Sequence, residues 1–181
     1  MALAPTRREF RLTLSHVDRG IERAETVIAA QHPSETNEHL TLRLLAWCLF
    51  AEEGLTFGPG LSTPDTADLW THDLTGRLTR FIECGAARGE ALRKVVHQHS
   101  GAEVHVVLSD PRRRDELVAE LAGWRRAEEV TVWMIDRELV SALAAREERR
   151  QRWTVTVVGD HFYLDADGVS LDGAVDRQSL G

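Results

Sequence analysis

Several residue types that define a class of protein are scarce in this chain. It contains two cysteines, Cys48 and Cys84, which are too few for a disulfide framework or a thiolate metal site. Its longest unbroken apolar run, Leu44 to Ala51, is eight residues long, whereas a membrane-spanning helix needs about 20. The opening residues MALAPTRREF lack the apolar core of a secretory signal. These absences predict a cytoplasmic protein with no membrane partner.

Positive charge is also in short supply, and almost all of it is arginine. The 22 Lys and Arg residues are outnumbered by 29 Asp and Glu, which gives a formal net charge of −7. An acidic chain is not an obvious nucleic-acid binder, because neutralising phosphates requires clustered Lys and Arg. Lys94 is the one lysine. Either chance left it, or it marks a place where a compact ammonium is needed and a planar guanidinium does not serve.

Hydrophobic periodicity predicts alternating strands and helices. Residues 21–30 are ambiguous between helix and strand, and a hairpin partner for the first strand is preferred. The order predicts a mixed β-sheet flanked by helices in one domain over residues 1–165, followed by a polar, flexible tail over 166–181. The predicted strands are 8–17, 21–30, a short one within 55–62, 68–73, 77–84, 103–108, 130–135, 153–158 and 161–164; the predicted helices are 34–53 with Ser34 as N-cap, 86–99, 111–122 and 137–150.

Two acids on neighbouring strands are the first candidates for chemistry. If the turn between the strands centres on Thr75-Gly76, Asp68 lies opposite Glu83, with Cβ atoms ~5 Å apart. Two such carboxylates repel unless a cation lies between them or one is protonated, and Mg²⁺ prefers one or two carboxylates with water and phosphate. A one-residue bulge would turn Asp68 away from Glu83 and place Asp65 or Asp73 on the same side as Glu83. The sequence leaves both registers open.

Two further residues extend this candidate site. Lys94 follows Glu83 by 11 residues, on a helix expected to pack back over the sheet, where it would position a water molecule or stabilise developing charge. Glu38 lies on an apolar stripe of the first helix and is a candidate third carboxylate for a metal. Glu35, on the same stripe, is interpreted as a capping residue of the first turn.

Several short phrases of the sequence resemble one known family. They are QHPSE at the entry to the first helix, then GLST, ADLW, DLTG and IECG, and finally LRKVV. Together they resemble the YaeQ family, and the match extends over about residues 5–165. The resemblance implies a core like that of PD-(D/E)XK restriction endonucleases, with extra N-terminal strands and a C-terminal hairpin.

The same resemblance implies an activity. It suggests a Mg²⁺-dependent nuclease or phosphodiesterase acting on nucleic acid, with Asp68 as first acid, Glu83 as second and Glu38 as the acid of the first helix. The lysine expected two residues after the second acid is replaced by Gly85, so Lys94 would have to act from the following helix. The literal Pro-Asp pair is Pro64-Asp65, which makes Asp65 the alternative first acid.

A non-catalytic role is the competing hypothesis. The fold would then serve as a binding or regulatory module, and the net charge and Gly85 favour this interpretation. If nucleic acid binds, the expected phosphate contacts are Arg43, Arg80 and Arg93.

Overall fold

Ten strands of this chain form a single hydrogen-bonded sheet. A computed structural model describes residues 4–58 and 66–180. The strands are β1 (Thr6–His16), β2 (Ile21–Gln31), β3 (Thr56–Phe57), β4 (Leu69–His72), β5 (Leu78–Cys84), β6 (Glu103–Leu108), β7 (Val130–Ile135), β8 (Arg150–Val158), β9 (His161–Ala166) and β10 (Val169–Ser179). The α-helices are α1 (Asn37–Leu49), α2 (Gly89–Gln98), α3 (Pro111–Leu121) and α4 (Arg137–Ala144).

The strand order divides the sheet into two halves that meet at β10. The order is β2-β1-β8-β9-β10-β7-β6-β5-β4-β3. β1 and β8 are parallel, as are β5, β6 and β7, and the other neighbours are antiparallel. The first part of β10 pairs with β9 and its last part with β7. The expected mixed α/β sheet with flanking helices, including the hairpin of β1 and β2, is confirmed.

Helix α1 lies at the centre of the larger core. Every residue from Leu40 to Leu49 is buried, as expected for a helix that is apolar on all sides. It contacts β1 and β8 from one half of the sheet and β5 and β6 from the other. Leu12, Val155 and Ile82 belong to the same buried cluster as α1. Both halves therefore pack against α1, while α2 and α3 pack with the other face of β5–β7.

Among the helix boundaries that differ from the prediction, the start of α1 and the end of α4 have local reasons. Helix α1 begins at Asn37, because Thr36 caps it through a hydrogen bond from the His39 N–H to Thr36 Oγ1 at 3.1 Å. Ser34, the expected cap, instead bonds the His32 ring at 2.7 Å. Helix α4 ends at Ala144 rather than at residue 150. The chain beyond it enters β8, where Gln151 is the first of the buried side chains that alternate with more exposed ones.

The prediction of a loose tail over residues 166–181 is wrong. Residues 169–179 form β10, which lies inside the sheet. Gly173 of this strand has a packing role. A Cβ there would lie 2.8 Å from Leu139 Cβ and 2.9 Å from Asp136 Cβ. Leu139 of α4 and Asp136 just before that helix can therefore approach the strand this closely because residue 173 is a glycine. Within the described ranges, no helix combines the length and apolarity needed to cross a bilayer.

Candidate functional site

The β4–β5 hairpin brings Asp68 and Glu83 near each other, but the regular pairing stops short of them. Leu69 pairs with Ile82 and Thr71 with Arg80. The Asp68 N–H donates to the carbonyl of Ile82 at 3.0 Å, the residue that Leu69 already opposes, so Asp68 is displaced from the position opposite Glu83. A further bulge lies nearer the turn, between Thr71 and His72. Asp65, the alternative first acid, lies outside the described residues.

The Asp68 carboxylate is buried and held from two directions. Its Oδ2 accepts hydrogen bonds from the Cys84 backbone N–H at 2.8 Å and from His39 Nε2 at 3.2 Å. Its Oδ1 lies 3.6 Å from Arg43 Nε. Asp68 thus links the end of β5 to α1, and Oδ1 accepts no hydrogen bond from any residue in the described ranges.

Glu35, His39 and Arg43 complete an ion-pair cluster with Asp68. His39 Nδ1 donates to Glu35 Oε1 at 2.7 Å, and Arg43 Nη1 donates to the same oxygen at 3.0 Å. These residues are spaced by four, so they share one side of the helical path. The sequence interpretation missed His39 and took Glu35 for a cap. The Glu-x3-His-x3-Arg spacing at the start of α1 is the signal that would have found them.

The ion-pair cluster carries two negative and two positive charges at neutral pH. Burial alone would lower the pKa of His39, but the hydrogen bonds that its ring donates to Asp68 and Glu35 outweigh burial and raise the pKa to about 9. Burial alone would raise the pKa of Glu35, yet His39 and Arg43 hold it below its ordinary value. His39 is therefore present as imidazolium, and the positive charges of His39 and Arg43 balance the negative charges of Glu35 and Asp68.

Glu83 lies beside this cluster but is not part of it. Burial and the nearby Asp68 charge raise the pKa of Glu83 to about 8, although the His39 charge opposes both effects. Neither a hydrogen bond nor an ion pair engages its carboxylate within the described part of the chain. At neutral pH, Glu83 is therefore largely a protonated acid that still reaches solvent.

Other predicted site residues are placed differently. Glu38 is exposed on α1. The acid that turns inward is Glu35, which precedes the helix and bonds His39 and Arg43. Arg43 is only 2% exposed, so the prediction that it contacts nucleic-acid phosphates does not fit its position. Arg80 pairs with Glu52 and Glu103. Arg93 lies on the surface of α2, where it donates to the Glu120 carbonyl.

Lys94 lies on α2 and therefore on the face of the sheet that this helix covers. Its exposed side chain lines a pocket with Trp70 and Phe81. Phe81 and Glu83 alternate along β5 and so start from the same face. The ion pairs of the described chain do not include a contact between Lys94 and Glu83, so the two residues share a face without touching.

Two neighbouring carboxylates such as Asp68 and Glu83 fit a water-rich divalent cation better than a complete protein cage. Among residues 4–58 and 66–180, no group of three or more His, Cys, Asp or Glu side chains is arranged to hold a metal ion. Asp68 Oδ1 and both Glu83 oxygens nevertheless accept no hydrogen bond from these residues. Mg²⁺ commonly binds through one or two carboxylates and keeps several waters. The donor set at Asp68 and Glu83 is compatible with that mode of binding.

Gly85 is required by the ion-pair cluster, which explains why no lysine stands there. Its φ is +80°, and a Cβ would lie 3.2 Å from His39 Cδ2. We expect Gly85→Ala to lower the free energy of unfolding by about 1–3 kcal/mol, measured by urea denaturation. Gly123→Ala is the matched control, because Gly123 has φ +75° but no atom within 4 Å of a Cβ. Equal losses in the two variants would contradict a specific contact with His39.

Comparison with known proteins gives one consistent match. The family model described as YaeQ protein matches residues 1–174. YaeQ of Salmonella typhi is 34% identical over 169 residues, which cover 91% of this chain and 90% of that protein. YaeQ of Escherichia coli strain K12 is 27% identical over 179 residues, covering 95% and 94%. The crystal structure of the YaeQ protein from Xanthomonas axonopodis pv. citri has a TM-score of 0.86 and 30% identity, covering 97% of this chain and 98% of that chain.

Proposed function

This chain belongs to the YaeQ family, and we propose that it is a Mg²⁺-dependent nuclease or phosphodiesterase with a restriction-endonuclease-like core. The observation that carries the proposal is the closeness of Asp68 and Glu83 beside the β4–β5 hairpin, where the Asp68 charge adds to burial in raising the pKa of Glu83. Two neighbouring carboxylates suit a divalent cation that also binds a phosphate. Nucleic acid is the corresponding substrate class.

In this proposal the surrounding residues give the two acids different tasks. His39 and Arg43 fix the position of the Asp68 carboxylate, so it is ready to bind a cation. Glu83 is held as a neutral acid in the absence of a cation, because burial and the nearby Asp68 charge both disfavour its ionised form. Bound Mg²⁺ would supply positive charge to a phosphoryl oxygen and acidify a coordinated water. Lys94 stabilises negative charge from the same face of the sheet.

The protonated state of Glu83 gives the proposal a sharp test. Because cation binding requires the carboxylate, we expect binding of Mg²⁺ or Mn²⁺ at pH 7 to release close to one proton. Calorimetric titration in two buffers of different ionisation enthalpy measures that release. Glu83→Gln should abolish saturable binding and lower cleavage of oligonucleotides by at least about 100-fold. Exposed Glu116 on α3 provides the control variant Glu116→Gln.

Cleavage that survives unchanged in Glu83→Gln, or that does not require a divalent cation, would contradict the assignment. The second candidate is a non-catalytic binding or regulatory module. It is favoured by Gly85 at the position of the expected lysine and by the charge balance that His39 and Arg43 already provide. Nucleic-acid binding without cleavage in any divalent cation would support that alternative.

A further inference from the structure

A small cavity lies between β1, β8, the start of α1 and the end of α4. Its volume is about 10 Å³, and roughly 10–15 Å³ is needed to hold one water molecule. Arg8 and Arg146 line this cavity, together with apolar side chains that include Phe10 and Trp153. It therefore has room for one small molecule or ion beside two guanidinium groups.

Arg8 is a buried positive charge that has no ion-pair partner in the described part of the chain. Only 7% of the residue is exposed. Its Nη1 donates to Gln31 Oε1 at 3.3 Å and its Nη2 to the Arg146 carbonyl at 3.2 Å, and both acceptors are neutral. Burial lowers the pKa of Arg8, and the negative charges of Glu148 and Glu147 do not fully offset that effect. Because buried charges are normally paired, Arg8 lacks the counter-charge that its position requires.

Two N–H groups of the residues that line this cavity have no acceptor. The Nε atoms of Arg8 and Arg146 are both buried, and neither hydrogen-bonds a residue of the described ranges. The Arg146 guanidinium pairs with Asp167, but it does so through Nη2 at 3.0 Å. Leaving a buried donor without an acceptor is unfavourable. Two such donors at one cavity therefore point to a ligand that accepts hydrogen bonds.

The start of α1 adds to the positive potential of the cavity. Asn37, the first residue of the helix, lines it, and the first turn of a helix carries partial positive charge. The Asn37 side chain is already engaged, since its Oδ1 accepts from Gln31 Nε2 at 2.9 Å. Among residues 4–58 and 66–180, no Asp or Glu lines the cavity. The ligand that suits these surroundings is therefore negatively charged.

We propose that this cavity binds one small monovalent anion such as chloride. Two charged N–H donors suit an anion better than a neutral water, because hydrogen bonds between ionised groups are the stronger ones. The volume excludes sulfate, phosphate and carboxylates, which have several heavy atoms. The ion joins β1 to the chain that follows α4. It also supports the segment before α1, because Gln31, which accepts from Arg8, donates to the Glu35 carbonyl at 3.1 Å. This inference is independent of the proposed nuclease function.

The test is urea denaturation of the full chain at constant ionic strength, with sodium gluconate replaced stepwise by sodium chloride. Gluconate is too large for the cavity. An anion that binds only the folded chain multiplies the folding equilibrium constant by one plus the ratio of its concentration to its Kd. At chloride concentrations above the Kd, we therefore expect this constant to rise about tenfold for each tenfold rise in chloride. The line width of the chloride NMR signal measures the binding directly.

Three matched variants connect the chloride effect to the cavity. Arg8→Gln should abolish it, but this variant also removes a buried side chain. Arg146→Gln is therefore the deciding variant, since the Arg146 side chain is 18% exposed, and it should weaken chloride binding by at least about tenfold. Arg113→Gln changes an exposed arginine of α3 and should keep the chloride dependence of the wild type.

A wild type whose stability does not depend on chloride would overturn the proposal, since water would then satisfy the two donors. The same chloride dependence in Arg146→Gln as in the wild type would overturn it as well, because a general salt effect would explain the result. Loss of the dependence in Arg146→Gln, with its retention in Arg113→Gln, supports the anion site.

Discussion

Replacing Arg43 by methionine is expected to lower the free energy of unfolding at pH 7 by about 3–5 kcal/mol. The Arg43 guanidinium donates to Glu35 and faces Asp68, and its side chain is only 3% exposed. Without it, two buried carboxylates share the single positive charge of His39. Removing one partner of a buried ion pair costs much more than the intact pair contributes, because the remaining charge is left uncompensated. Chemical denaturation followed by tryptophan fluorescence measures the loss.

Two further variants separate the charge effect from a loss of packing. Arg113→Met removes an exposed ion pair with Glu116 on α3 and should change stability by less than about 0.5 kcal/mol. Adding Glu35→Gln to Arg43→Met removes one of the uncompensated charges and should restore part of the loss. If the double variant is less stable than the wild type by the sum of the losses in Arg43→Met and in Glu35→Gln, the cluster does not act as a unit.

The free energy of unfolding is expected to fall as the pH rises from about 5 to 9. The pKa of Glu83 is about 8 in the folded chain against an ordinary 4.5, and that of His39 is about 9 against 6.5. Both groups bind a proton more tightly when the chain is folded. Their contributions are complete below pH 4.5 and 6.5 respectively, and are lost as the pH rises through 8 and 9.

Glu83→Gln isolates the larger of these two pKa shifts. The amide keeps the shape of the protonated acid and cannot ionise, so the variant should be more stable than the wild type by about 1–3 kcal/mol at pH 9 and nearly equal to it at pH 5. Urea denaturation at pH 5, 7 and 9 provides the comparison. Glu116→Gln, an exposed carboxylate on α3, should leave the pH dependence of the wild type unchanged. Parallel curves for wild type and Glu83→Gln would refute the raised pKa.

The parts of the fold that depend on local pattern could be predicted from the sequence. Strands β6 and β7 have the predicted bounds, since short apolar runs flanked by turn residues specify buried strands. β10 could not be found this way. Its outward residues are polar, and its glycine is explained only by the close approach of Leu139 and Asp136 from elsewhere in the chain.

In the candidate site, too, the features set by local sequence could be predicted and those set by packing between distant segments could not. The closeness of Asp68 and Glu83 follows from a local hairpin, but counting from the turn does not predict the irregular pairing beside Asp68, whose N–H bonds the Ile82 carbonyl. The ion-pair cluster depends on which side of α1 meets Asp68. Since α1 is buried on every side, its sequence has no polar face to indicate that direction. Glu35 was consequently taken for a cap, and Arg43 for a surface residue.

The place of β10 in the sheet has a consequence for biosynthesis. This strand joins β9 to β7, and it follows all the other described strands along the chain. Until it emerges from the ribosome, one edge of β9 and one edge of β7 lack a partner. Unpaired edges invite association between chains, and contacts distant in sequence form slowly. The nascent chain is therefore most prone to aggregate just before β10 is made.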